Sequence, residues 1–168
     1  ERLTTARVAE RAGASIGTVY RYFPDRIAVL QALAARHAER LTDRVIAELR
    51  DEQHADWQSA ITAALEIIVQ AFRDEPGFAS LRYGDVIDLR PRTEVPAYTV
   101  LAERIYEVLT ERFGLQRSDE ARAALEAAVV AFDAVAAHAF TLDPKGASAH
   151  IDLARKWASV VLKDYFGA

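Results

Sequence analysis

The stretch Ala12–Arg26, AGASIGTVYRYFPDR, constrains this chain most, because it admits only a turn, a helix of barely two turns, and a second break. Gly13 can take the left-handed conformation that closes a preceding helix, and Ser15 can cap the free amides of the next one. Pro24 biases Phe23 away from helical geometry. Between these bounds Ile16, Val19 and Phe23 recur at helical spacing on one face, which leaves Gly17, Thr18, Arg21 and Tyr22 on the others. One side packs, and the other is small, hydroxylated, aromatic and cationic.

That outward set suits a nucleic-acid duplex. A small residue near a helix start permits close backbone approach, hydroxyls and helix N-terminal amides bind phosphate, and Arg can bond guanine in the major groove. Gly17 is informative because glycine inside a helix costs about 1 kcal/mol against alanine. An ordinary helical corner gains nothing from it. Upstream, Thr4 can cap a helix on which Val8, Ala9 and Ala12 form a narrow apolar face, with Leu3 stapled onto Val8. The unit reads as helix, four-residue turn, short helix: a helix-turn-helix whose second member enters the groove.

The spaced set Thr4, Val8, Ala9, Ala12, Gly13, Ser15, Gly17, Thr18, Tyr20, Tyr22, Phe23 and Arg26 resembles the DNA-binding signature of the TetR family of transcriptional regulators. The resemblance covers about the first 40 residues. It implies a DNA-binding set of Thr4, Ser15, Ile16, Gly17, Thr18, Tyr20, Arg21, Tyr22 and Arg26. In that set Thr18 and Arg21 meet base edges, while Thr4, Tyr20, Tyr22 and Arg26 hold the backbone. Domains of this type resemble a three-helix unit with one more amphipathic helix in front. The sequence begins at Glu1, almost on the motif, so that helix and its share of the core are expected to be missing here.

Charge divides the chain in the same place. The formal net charge is −4, but residues 1–40 carry seven Arg against four acidic residues and the remainder carries 14 basic and 21 acidic. A basic head on an acidic body is the distribution expected of a DNA reader. With 51% hydrophobic residues, no recognisable membrane-length apolar run and no signal peptide, the expected class is a soluble globular protein with no membrane partner. The absence of Cys excludes disulfides and thiolate chemistry and is compatible with a reducing cytoplasm.

The rest of the chain reads as helices, giving an all-α fold. Asp25 can cap a helix over about 26–50 with Leu30, Leu33, His37, Leu41, Val45 and Leu49 in one stripe. His37 is expected at the core edge, bonded to backbone. The resemblance makes this helix the connector between a DNA-binding domain over 1–45 and a helical ligand-binding and dimerisation domain over 46–168. After the polar run 51–56, helices are expected over 57–73, 78–89 (with an Arg82–Asp85 pair), 97–113, 119–140 and 148–165. The alanine-rich helix 119–140 should be approached closely, and helix 148–165 is apolar on more than one side. A second copy docked on these two helices explains both features and sets two recognition helices on a palindromic operator.

Aromatic and apolar positions on the middle helices can line an effector cavity: Trp57, Ile61, Phe72, Phe78, Tyr83, Tyr98, Tyr106 and Phe132. An effector of small apolar or aromatic type is implied mainly by the resemblance. Phosphate loops, dinucleotide glycine runs and nucleophile elbows are absent from the sequence. His37, His54, His138 and His150 are too dispersed for a two-histidine helical zinc motif. Asp133 and His138 lie about 140° apart on a helix and share no face; both read as hydrogen-bonded interface positions. No enzyme, metal or cofactor is expected. The function read from the chain is a ligand-responsive repressor binding DNA as a homodimer; the alternative is a small-molecule-binding protein or enzyme on the same scaffold.

Overall fold

The computed structural model describes residues 4–75, 77–78 and 95–167. Tyr83, the Arg82–Asp85 pair, the helix expected over 78–89 beyond Phe78, and Leu3 lie outside the described residues. Those that are described form seven α-helices and no strand: α1 Thr5–Ala12, α2 Ile16–Tyr22, α3 Arg26–Leu49, α4 Trp57–Asp74, α5 Ala97–Phe113, α6 Asp119–Leu142 and α7 Ser148–Phe166.

Local chemistry sets most of the boundaries. Thr4, Ser15, Asp25, Asp56 and Ser118 each accept a hydrogen bond from the third amide along, capping α1, α2, α3, α4 and α6. Gly13 closes α1 at φ 62°, and the amides of Gly13 and Ala14 return to the carbonyls of Glu10 and Ala9. Phe23 leaves α2 at φ −132°, ψ 96°, the extended geometry that the following proline favours.

Helices α3 to α7 share one apolar core. Leu41, Val45, Ile46 and Leu49 of α3 enter it, with Ile61, Ile68 and Val69 of α4, Leu101, Tyr106 and Leu109 of α5, Leu125 and Phe132 of α6, and Leu162 of α7. The stripe of α3 differs from the expected one where it leaves this core: Leu33 is exposed and Ala34 takes the buried position. The head is thinner. Among its described residues before α3 only Ala9 and Val19 are buried, and Ala12, expected on the apolar face of α1, is exposed.

By length and apolar content α6 could cross a membrane, because its many alanines accompany few charges; half of its most apolar window is buried inside the bundle. Helices α6 and α7 pair as an antiparallel hairpin across the turn 143–147. Gly146, at φ 84°, is seated so tightly there that a Cβ would lie 2.8 Å from both Ile151 Cδ1 and Phe140 Cζ.

Candidate nucleic-acid interface

The short helix α2 is held against α1. Val19 is buried, Phe23 is half-buried, and Thr5 of α1 donates to the Tyr20 phenol at 3.1 Å. Ser15 accepts from the Thr18 amide at 3.0 Å, and the two hydroxyls are 2.9 Å apart. All members of the set face solvent: Thr4, Ser15, Ile16, Gly17, Thr18, Tyr20, Arg21, Tyr22 and Arg26 are exposed. Ile16, counted by spacing with the packing face, is 48% exposed because it sits in the first turn, before α2 reaches its contacts.

Two details shape this surface. A Cβ on Gly17 would meet only Ser15 Oγ, at an ordinary 3.8 Å, and the backbone there is not left-handed. Nothing inside the described protein requires glycine at this position. Beside it, the Arg21 guanidinium lies 5.0 Å from the Tyr22 ring centroid and donates to the Tyr22 hydroxyl at 3.1 Å. The stacked pair holds a cation and a phenol together on the outer turn.

The effector candidates lie in the body. Trp57, Ile61, Phe72, Phe78, Tyr98, Tyr106 and Phe132 are all buried in one cluster. Phe72 packs edge-on to Phe78 at 4.9 Å and stacks on Phe140 at 5.0 Å. Both described phenols among these candidates are engaged within the protein. Tyr98 donates to Asp133 at 2.6 Å, and Tyr106 accepts from the Ser118 amide at 2.8 Å while facing its carbonyl at 3.1 Å. A void of about 10 Å³ lies between Val45, Ile61, Ile68, Ile105, Leu125 and Leu162, and Ile61 alone of the candidates lines it.

The outer face of α6 and α7 differs from the rest of the body. Val130, Leu153, Trp157, Val160, Val161 and Tyr165 are exposed, with Trp157 at 57%. Between the helices runs an apolar groove of about 540 Å³, floored by Ala127, Ala131 and Val135 and walled by Leu153, Trp157 and Val161. Asp133 is engaged as expected, by Tyr98. His138 instead meets His150 edge-on at 5.6 Å, a juxtaposition made by the antiparallel pairing of α6 and α7. His37 differs too: its partner is the Glu75 carboxylate at 2.7 Å, not backbone. Among the described residues no cluster of three or more His, Cys, Asp or Glu is arranged to hold a metal.

These features can be set beside known proteins. The family described as bacterial regulatory proteins, tetR family, matches residues 1–33, and the family described as tetracyclin repressor-like, C-terminal domain, matches residues 55–165. Over 87 residues, 52% of this chain, the sequence is 32% identical to the nucleoid occlusion factor SlmA of Actinobacillus pleuropneumoniae serotype 5b (strain L20) and to that of Haemophilus influenzae (strain PittGG). The matched region spans 42% and 39% of those two relatives, less than half of their length. A TetR-family transcriptional regulator from Streptomyces coelicolor superposes with a TM-score of 0.78 at 29% identity, covering 97% of this chain and 87% of that one. The capped helix-turn-helix, the all-helical body and a domain match over most of that body lead to one conclusion: the chain belongs to the TetR family of transcriptional regulators.

Proposed function

We propose that two copies of this chain bind a palindromic DNA operator as a ligand-responsive repressor, and that a small apolar or aromatic effector releases it. The observation that carries the reading is Gly17: a helix-destabilising residue, with room for a side chain, placed where the outward face of α2 bears Thr18, Arg21 and Tyr22. Thr18 and Arg21 meet base edges. Ser15, Ile16 and Gly17 let the start of α2 approach the groove, and Thr4, Tyr20, Tyr22 and Arg26 hold phosphates.

The α6–α7 groove supports pairing of two copies. Its apolar floor and exposed Trp157 form a face that a second copy covers. Residues 1–45 form the DNA-binding domain on this reading, and residues 46–168 form the effector-binding and dimerisation domain. The effector widens the apolar seam near Ile61, within the cluster that holds Trp57, Phe72, Phe78, Tyr98, Tyr106 and Phe132. An effector that prefers a different angle of α3 lowers operator affinity by linkage, and a coupling of about 3 kcal/mol is a 150-fold change.

The test is a gel shift and mass measurement of the full-length protein on duplex DNA from upstream of its own gene. A salt-sensitive complex containing two copies per site is expected. A protein that leaves all such duplexes unshifted at micromolar concentration, or binds them only as one copy, contradicts the reading and favours a small-molecule-binding protein without DNA function.

A further inference from the structure

Helix α3 carries the head, yet only its second half is built into the body. From Leu41 onward its residues enter the shared core; Arg104 of α5 reaches Asp43 at 3.0 Å, and Arg112 of α5 donates to the carbonyls of Leu49 at 2.5 Å and His54 at 2.9 Å. Towards the N-terminus the next fully buried residue of α3 is Ala34. Between Ala34 and Leu41 the helix has only His37 and Ala38 partly buried.

At that transition one side chain reaches across from α4. Glu75, the C-cap of α4, holds His37 Nδ1 at 2.7 Å with one carboxylate oxygen and Arg44 Nη1 at 2.9 Å with the other. His37 and Arg44 stand seven residues apart, two turns along one face of α3. A single carboxylate anchored at both points resists tilt of the helix as well as sliding, which one contact does not. The His37 ring also lies edge-on to Phe78 at 6.5 Å, and Phe78 packs on Phe72. The clamp therefore joins the connecting helix to the part of the body where the effector candidates sit.

We infer that Glu75 is the positioning residue that sets the angle of α3, acting through His37 and Arg44 and touching neither DNA nor effector. The inference rests on the reading of the chain as a DNA-binding regulator. Ion pairs that solvent still reaches, as it does Glu75 and Arg44, contribute little to stability, so the effect lies in direction rather than in holding the fold together. Residues 26–37 form a lever about 18 Å long, and a tilt of about 10° at its root moves the head by about 3 Å. A displacement of that size misplaces groove contacts while leaving every helix intact.

The described chain has no cysteine, so nitroxide labels can be placed on the full-length protein at Arg11→Cys on α1 and Glu120→Cys on α6, both exposed. Diluted into unlabelled protein, they report the head-to-body distance within one copy by pulsed dipolar spectroscopy, whether or not copies pair. Glu75→Gln is expected to broaden or shift that distance and to lower operator affinity about tenfold, within the usual range of coupling. Arg44→Gln is expected to do the same to a smaller degree. Glu107→Gln, which breaks the exposed pair with Arg117 away from α3, is expected to change neither. A distance distribution for Glu75→Gln that matches the parent, or one that broadens with operator affinity unchanged, overturns the inference. Failure of the unsubstituted protein to bind any duplex overturns the functional reading first and removes the role in positioning with it; that failure is seen before any variant is made.

Discussion

At the scale of single residues, Gly17 separates stability from recognition. Ala at this position meets only Ser15 Oγ at 3.8 Å, so Gly17→Ala is expected to stabilise the fold by about 0.5–1 kcal/mol and to weaken operator binding. Thermal melts and fluorescence anisotropy read the two effects separately. A variant that gains stability with undiminished affinity shows that no groove wall approaches α2 there. Arg21 and Tyr22 touch one another, yet different ends are proposed for them. Arg21→Ala is expected to cost about 1–3 kcal/mol and to relax base preference at one position, whereas Tyr22→Ala weakens all duplexes alike. Competition between the operator and base-substituted duplexes distinguishes them; unchanged selectivity in Arg21→Ala removes that residue from base readout.

At the scale of helices, what the sequence made legible was what neighbouring residues decide. Thr4, Ser15, Asp25 and Asp56 cap helices through amides three residues ahead, so their roles can be read from spacing. Contacts that depend on how helices meet could not be read. Glu75 is 38 residues from His37, and Tyr98 is 35 from Asp133. His138 meets His150 only because α6 and α7 pair antiparallel. Nor does periodicity distinguish an aromatic that lines a cavity from one that fills a core, and the candidate effector residues lie in that ambiguity.

The cap on α4 carries a pH signature. The Ser59 amide, followed by the Ser59 side chain, holds the Asp56 carboxyl below its ordinary value. A carboxyl depressed in the folded state contributes stability above its unfolded value, near pH 3.9, and loses that contribution as pH falls through the folded value. Asp56→Ala is therefore expected to melt below the parent at pH 7, with the gap closing as pH drops below about 4. A gap independent of pH assigns the loss to something other than the charge.

At the scale of the whole molecule, the proposed recognition by α2 calls for a second copy, because so short a helix reads few base pairs. The exposed α6–α7 face, which Trp157 helps to line, is where that copy is proposed to dock. Burying a charge there is costly, so Trp157→Glu is expected to raise the dimer dissociation constant about 30-fold or more, as for an interface hot spot, while circular dichroism of the monomer stays helical. A variant that still sediments as a dimer at low micromolar concentration relocates the interface. The basic head and acidic body, legible from charge alone, are proposed for different tasks: one to meet phosphate, the other to meet its own copy.

The most direct test of paired recognition is selection of the full-length protein's binding site from a random duplex pool. Two α2 helices related by a two-fold axis predict an enriched inverted repeat whose half-site centres lie about one helical turn apart, or a near multiple of it. Enrichment of an asymmetric site bound by one copy, or no enrichment at all, would contradict it.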